Sequence, residues 1–194
     1  MGKRLYETHD GLYWGDLCTE YLGASLMNIR ETLGSHNVEW YTPEKYLLKA
    51  RAVLGTIDLD PASSPQAQET VQATQYYTAA DDGLVNDWYG RVWLNPPYAA
   101  GLIGSFAAKM AAEYQNGNVT EAIMLTNNST DTRWFQELAA CSSAMCFTRG
   151  RIKFRSKDGS THNSPPTGQT FFYFGTHAQT FAETFRDVGM ILRE

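Results

Sequence analysis

Apolar positions recur with two periods along this chain, and the places where the period changes mark its elements. Tyr46, Leu47, Leu48, Ala50 and Val53 stand at helical spacing before Gly55, and Leu102, Ile103, Phe106, Ala107, Met110 and Ala111 repeat that spacing between residues 99 and 114. Both stretches predict amphipathic helices packed on a sheet. The first has a marked start, with Thr42 as the expected N-cap, Pro43 as the first helical residue and Glu44 in the first turn. Elsewhere the apolar runs are short: Thr56 to Asp60, Gln75 to Thr78, Val92 to Leu94 and Glu121 to Thr126 predict strands, and Asp131 to Phe135 opens another helix capped by Asp131 or Thr130. Ala144 to Phe147 and then Gly150 to Phe154 alternate like one strand and Thr170 to Gly175 like another, which predicts a long antiparallel hairpin joined by the polar stretch from Arg155 to Gln169. Ala178 to Arg193 supplies a last helix or strand. The interval from Asp60 to Asp82 reads as too short for a full strand-helix-strand unit.

Alternating strands and helices predict an α/β fold: a single Rossmann-like domain over residues 38–194, its sheet mainly parallel, with a C-terminal antiparallel hairpin. Residues 1–37 read as an irregular arm. Gly11, Gly15 and Gly23 break any long helix there, and only Ala24 to Leu33 keeps helical spacing. The arm's Tyr6, Tyr13, Trp14 and Tyr21 either cover the core or meet a partner.

Composition narrows the function classes. A length of 194 residues suits one domain, and 43% hydrophobic with 19% charged residues is ordinary for a globular protein, with no apolar run of membrane-spanning length. Met1-Gly2-Lys3-Arg4 leads into polar residues, and Tyr6 stands where a myristoylation site needs Ser or Thr, so the expectation is a cytoplasmic protein with no membrane attachment. Cys18, Cys141 and Cys146 form no C-x-x-C pair, and four scattered histidines lack ligand spacing, which argues against a disulfide framework and against a metal site. A net charge of −5 disfavours a general nucleic-acid binder, yet Arg149, Arg151, Lys153, Arg155 and Lys157 concentrate basic charge in one run. That run is a solvated strand face or a phosphate-contacting strip.

The candidate chemistry lies at Val92-Trp93-Leu94-Asn95-Pro96-Pro97-Tyr98. Two prolines cannot continue a strand ladder, so the apolar strand must open into a rigid turn. Asn95 and the carbonyl of Pro96 offer acceptors there, and Tyr98 offers an aromatic face. Two acceptors and a stacking plate suit an amino group on a planar heteroaromatic ring.

Asn95-Pro96-Pro97-Tyr98 after an apolar strand resembles the catalytic motif of S-adenosylmethionine-dependent amino methyltransferases, above all DNA adenine-N6 enzymes of the phage type. Further likenesses follow in order: Thr42-Pro43, Leu59-Asp60-Pro61-Ala62, Asp82-Gly83-Leu84, Asp131-Thr132-x-Trp134-Phe135 and Gly150-Arg151-Ile152-x-Phe154. The resemblance implies a bacterial-host cytoplasmic enzyme that takes S-adenosylmethionine as cofactor and DNA as partner. It implies Thr42, Pro43, Asp60, Pro61, Ala62, Ser63, Asp82, Gly83, Leu84 and Asn95 at the cofactor, with Asn95, Pro96, Pro97 and Tyr98 catalytic. Tyr98, Arg133, Arg151, Lys153, Phe154 and Arg155 fall to the DNA, Phe154 near the extruded base. Ser63, Ser64 and Pro65 depart from the glycines usual after the Asp-Pro-Ala segment, and the acid that binds the ribose is unassigned.

The same motif serves methyltransferases of RNA adenine and of protein glutamine amides, and the missing glycines admit an inactive fold that only binds DNA. No room remains for a large target-recognition domain. Specificity is therefore expected from the arm, from residues 158–168 or from Asn127 to Trp134, and neither the recognition sequence nor the oligomeric state is legible.

Overall fold

The computed structural model describes residues 41–98, 101–155 and 167–193, so the expected arm and Lys157 lie outside the described residues. The elements run α1 (Glu44–Leu54), β1 (Leu59–Asp60), α2 (Pro65–Val71), β2 (Gln75–Tyr76), β3 (Gly90–Leu94), α3 (Leu102–Gln115), β4 (Val119–Asn127), α4 (Arg133–Cys141), β5 (Ala144–Thr148), β6 (Gln169–Phe174), α5 (Ala178–Phe185) and β7 (Gly189–Arg193). All seven strands join one sheet in the order β2-β1-β3-β4-β6-β5-β7. β2, β1, β3 and β4 are parallel neighbours, whereas β6 runs antiparallel to both β4 and β5, and β7 antiparallel to β5. This is the expected Rossmann-like α/β domain with a C-terminal antiparallel hairpin. None of the helices among the described residues is long and apolar enough to cross a membrane.

Helices cover both faces. On one, α1 and α5 pack over Trp93, Ile123, Leu125, Phe171 and Tyr173. On the other, α3 and α4 pack over Val92, Leu94, Ala122, Met124, Phe172 and Phe174. Strand residues thus alternate between two apolar layers, as a sheet buried on both sides requires. Truncating one such Phe to Ala costs about 3–5 kcal/mol. Among the described residues Cys146 is a free, buried cysteine.

Four local expectations are corrected. The interval after Asp60 does hold a strand-helix-strand unit, because β1 and β2 need only two residues each to pair Leu59 with Gln75 and Asp60 with Tyr76. α2 is compact for local reasons: Ser64 Oγ accepts from Ala67 N at 3.2 Å, Pro65 supplies the first turn, and Gln72 ends the helix at φ 53°. Thr42 does not cap α1; Pro43 holds the N-cap position in extended backbone, and the Thr42 hydroxyl faces elsewhere. At α4 the N-cap is Thr132, not Asp131 or Thr130.

Residues 150–154, finally, are not strand. β5 ends at Thr148, and the chain then crosses as an irregular strap with Ile152 and Phe154 turned inward, both 1% exposed. The strap is held by Ile152 N, which donates to Gln169 Oε1 at 2.7 Å, and by paired backbone bonds between Tyr41 and Arg155 at 3.0 and 3.1 Å.

Chain order fixes where a ligand can enter. From β1 the chain moves outward to β2 and then returns to the other side of β1 at β3. The connections above β1 and β3 therefore diverge, and the crevice between them lies at the carboxyl ends of the two strands. Asp60 ends β1 and Asn95 follows β3.

Candidate active site

Asn95 leaves the sheet because Pro96 and Pro97 have no amide hydrogen to give the ladder. Its carboxamide is bonded at both ends. Nδ2 donates to Thr42 Oγ1 at 3.3 Å, and Oδ1 accepts from the Tyr98 phenol at 2.7 Å. The phenol oxygen also lies 3.5 Å from the Leu125 carbonyl of β4. Burial pushes the Tyr98 hydroxyl well above its ordinary range, so it stays protonated and donates. Pro96 is buried and Pro97 exposed. Thr42 and Pro43, distant in sequence, are thus brought to the motif at the start of α1, and the Tyr41–Arg155 pairing fastens the basic strap beside them.

Asp60 is 2% exposed at the end of β1. Its carboxylate accepts from Gln68 Nε2 at 3.0 Å and from Ala62 N at 3.4 Å. Desolvation nevertheless outweighs these bonds and those of Ser63, and pushes the carboxyl up to about 7. No cation pairs with it among the described residues. The serines that replace glycines have their own tasks: Ser63 bonds Gln68 Nε2 at 2.7 Å and, through its amide, the Tyr77 carbonyl at 2.8 Å, while Ser64 caps α2.

The Asp82-Gly83-Leu84 turn lies against this loop. A Cβ on Gly83 would come within 1.9 Å of the Pro61 carbonyl oxygen, so only glycine permits that approach. Trp88 Nε1 holds the Gly83 carbonyl at 2.7 Å. Ala62 and Leu84 are both half-buried against the α3 side of the core. The Asp82 carboxylate is exposed and accepts from Leu84 N at 3.1 Å, closing its own turn at φ 55°.

The residues expected at DNA are more scattered. Arg151, Lys153 and Arg155 are exposed on the strap, while Phe154 points beneath it into the core. Arg133 starts α4 and pairs with Glu137 at 2.7 Å. Two residues gain a place beside the site: Gln68, unnamed in the sequence reading, and Asn127, named there only as the start of a specificity segment. Gln68 reaches Asp60 from α2, and no local pattern marks it. Asn127 ends β4 next to the motif, and its one clue was an amide closing an apolar run, as Asn95 does for β3.

A family model described as DNA N-6-adenine-methyltransferase (Dam) matches residues 30–185. No curated protein matches the chain.

Proposed function

The chain belongs to the DNA N-6-adenine-methyltransferase (Dam) family, and from that premise we propose that it methylates the exocyclic N6 of a flipped-out DNA adenine with S-adenosylmethionine as donor. The observation that carries this reading is the Asn95 carboxamide at the carboxyl end of β3, held between Thr42 and Tyr98 at 3.3 and 2.7 Å. An adenine amine is a weak nucleophile because its lone pair is delocalised into the ring. Asn95 Oδ1 and the Pro96 carbonyl accept its two hydrogens and turn the lone pair out of conjugation toward the methyl to be received. Tyr98 stacks on the base and offsets part of the few kcal/mol that unstacking it from the duplex costs. The chain's contribution is mainly positioning, with acceptors fixed before the reaction.

Bound S-adenosylmethionine supplies an electrophilic methyl group on a sulfonium. Thr42, Pro43, Asp60, Pro61, Ala62, Ser63, Asp82, Gly83, Leu84 and Asn95 would hold it. Asp60 supports that assignment, because a buried carboxyl at about 7 without a cationic partner among the described residues is suited to a ligand that brings positive charge. Arg151, Lys153 and Arg155, exposed in a row and fastened beside Thr42, neutralise DNA phosphates, and Arg133 adds to them from α4. Phe154 supports the strap from below.

The test is methylation of plasmid DNA and of a synthetic RNA with labelled donor, read by nucleoside mass spectrometry. N6-methyladenine in DNA that disappears in Asn95→Ala supports the reading. Label only in RNA or in protein, or equal label from Asn95→Ala, overturns it.

A further inference from the structure

Among the described residues, Oδ1 of Asn127 is the only buried side-chain nitrogen or oxygen without a hydrogen-bond partner. A sealed, unsatisfied carbonyl costs on the order of tenfold or more in a folding equilibrium, so it calls for a donor that arrives in another state. Its position says which. β3 and β4 pair with Leu94 beside Met124, which sets the chain at Asn95 alongside Leu125, and Asn127 lies two residues further on. Trp93 and Leu125 share one face, so the alternation carries Asn95 and Asn127 onto that same face.

Donors on the neighbouring strand and loop are engaged. Gln169, opposite Asn127 on β6, gives Nε2 to the Thr167 carbonyl at 2.7 Å and uses Oε1 for Ile152 N. Asn128 N donates to the Gly168 carbonyl at 2.9 Å, the Thr170 hydroxyl donates to Asn128 Oδ1, and the Thr126 hydroxyl donates to the Asn127 backbone carbonyl at 3.1 Å. One donor in the site competes with the substrate. The Tyr98 phenol now sits on Asn95 Oδ1, the acceptor that the substrate amine needs, and it already lies 3.5 Å from Leu125 O on the way along β4.

We infer that Asn127 is a positioning residue that receives the Tyr98 hydroxyl when a base enters. The phenol passes from Asn95 Oδ1 to Asn127 Oδ1, the ring turns to stack, and Asn95 is freed for the amine. Donors and acceptors then balance: two amine hydrogens meet Asn95 and Pro96, and the displaced hydroxyl meets the unsatisfied oxygen. This inference rests on the proposed adenine methylation.

The experiment is a double-mutant cycle of Tyr98→Phe and Asn127→Leu on the full chain, reading kcat, KM for target DNA and the thermal midpoint. With Tyr98 present, Asn127→Leu lowers kcat by about tenfold, the size of one neutral hydrogen bond. In the Tyr98→Phe background the same change lowers kcat less than about twofold. Without ligands Asn127→Leu leaves the thermal midpoint unchanged or raised, which a structural amide would not do. Asn127→Asp, which keeps an oxygen in place, restores at least part of the loss. Multiplicative effects of the two substitutions, or wild-type kcat in Asn127→Leu, overturn the inference. If the variants do not fold, a structure of the wild-type protein with target DNA and a non-transferring cofactor analogue decides: the phenol within about 3 Å of Asn127 Oδ1 supports it, and the phenol still on Asn95 overturns it. Absence of DNA methylation by the wild type would instead defeat the proposed function, so the two failures are separable.

Discussion

The two edges of the central sheet treat polar groups in opposite ways. At the amino ends of the parallel strands every prominent polar side chain has partners. Arg91 bonds Asp58 through Nε at 2.9 Å, a second guanidinium nitrogen at 3.0 Å and its own amide at 2.8 Å, which draws the Asp58 carboxyl below its usual range. Glu121, 8% exposed on β4, takes the Tyr173 hydroxyl and His177 Nδ1, and that hydroxyl in turn accepts from His177 N at 2.9 Å. At the carboxyl ends, among the described residues, Asp60 is buried without a cation, the Asn95 acceptor is covered by the Tyr98 phenol, and Asn127 Oδ1 has no partner. One edge is satisfied as it stands; the other holds groups that the proposed ligands would satisfy. The difference matches stability at the first and, on the proposed function, binding at the second.

Substitution at each edge should separate activity from stability. With Asn95 as the proposed acceptor of the substrate amine, Asn95→Ala is expected to lower kcat by roughly 100- to 1000-fold. Its thermal midpoint should move less than that of a core truncation, since the two bonds its side chain makes to Thr42 and Tyr98 are neutral ones of 3.3 and 2.7 Å. Activity within tenfold of wild type would break the contrast at its strongest point. Tyr173→Phe at the opposite edge should do the reverse: it leaves the buried Glu121 and the His177 amide each short of a partner, at about 1–3 kcal/mol of stability, with kcat unchanged under conditions where the variant is folded. Denaturant unfolding and steady-state rates on the same preparations read both effects.

What local pattern can show, it shows here. The helices over Glu44–Leu54 and Leu102–Gln115 and the apolar strand into Asn95-Pro96-Pro97-Tyr98 rest on periodicity and on proline, both of which act within a few residues. Strands at β1 and β2 were expected, but the helix between them, Pro65–Val71, buries only Val71 and shows no apolar period, so the unit they make with α2 was missed. The strap misled for another reason. Ile152 and Phe154 alternate with Arg151, Lys153 and Arg155 as in a strand, yet Ile152 N is satisfied by a Gln169 side chain rather than by a ladder. Thr42 reads as a cap because its role depends on Asn95, far along the chain. That Asn127 lacks a partner emerges only when the long-range partners of Gln169 and Asn128 are known.

Asp60 sharpens the comparison through pH. Its folded carboxyl is raised to about 7 against an ordinary value near 3.8, so the native state holds a proton that the unfolded chain has already lost. Stability from this group is complete below about pH 4 and is lost as pH rises to about 7, with a slope of at most ~1.4 kcal/mol per pH unit. Asp58, on the satisfied edge, has the opposite sign: its carboxyl is lowered, and it stabilises above its unfolded value. Asp60→Asn should match wild type near pH 4, become the more stable protein at pH 8, and bind S-adenosylmethionine more weakly at pH 8 than wild type does. Parallel stability curves for the two proteins from pH 4 to 8 would remove Asp60 from the contrast.

The smallest expected effect concerns the strap, which crosses from the hairpin to the start of α1 and carries the site's positive charge. Arg151, Lys153 and Arg155 are exposed, whereas their neighbours Ile152 and Phe154 are core residues, so the cations can be removed without disturbing the packing beneath. Arg151→Ala with Lys153→Ala should leave stability within about 0.5 kcal/mol and kcat near wild type. If both side chains meet phosphates, the slope of log affinity for DNA against log salt falls by about 0.9 for each, or close to two in all. The loss is therefore largest at low salt and shrinks as salt rises, and it is alike for target and non-target duplexes because phosphates carry no sequence. A loss confined to the target sequence would give these residues base contacts instead, and an unchanged slope would return the strap to the stabilising part of the molecule, with its charges serving only to keep a surface solvated.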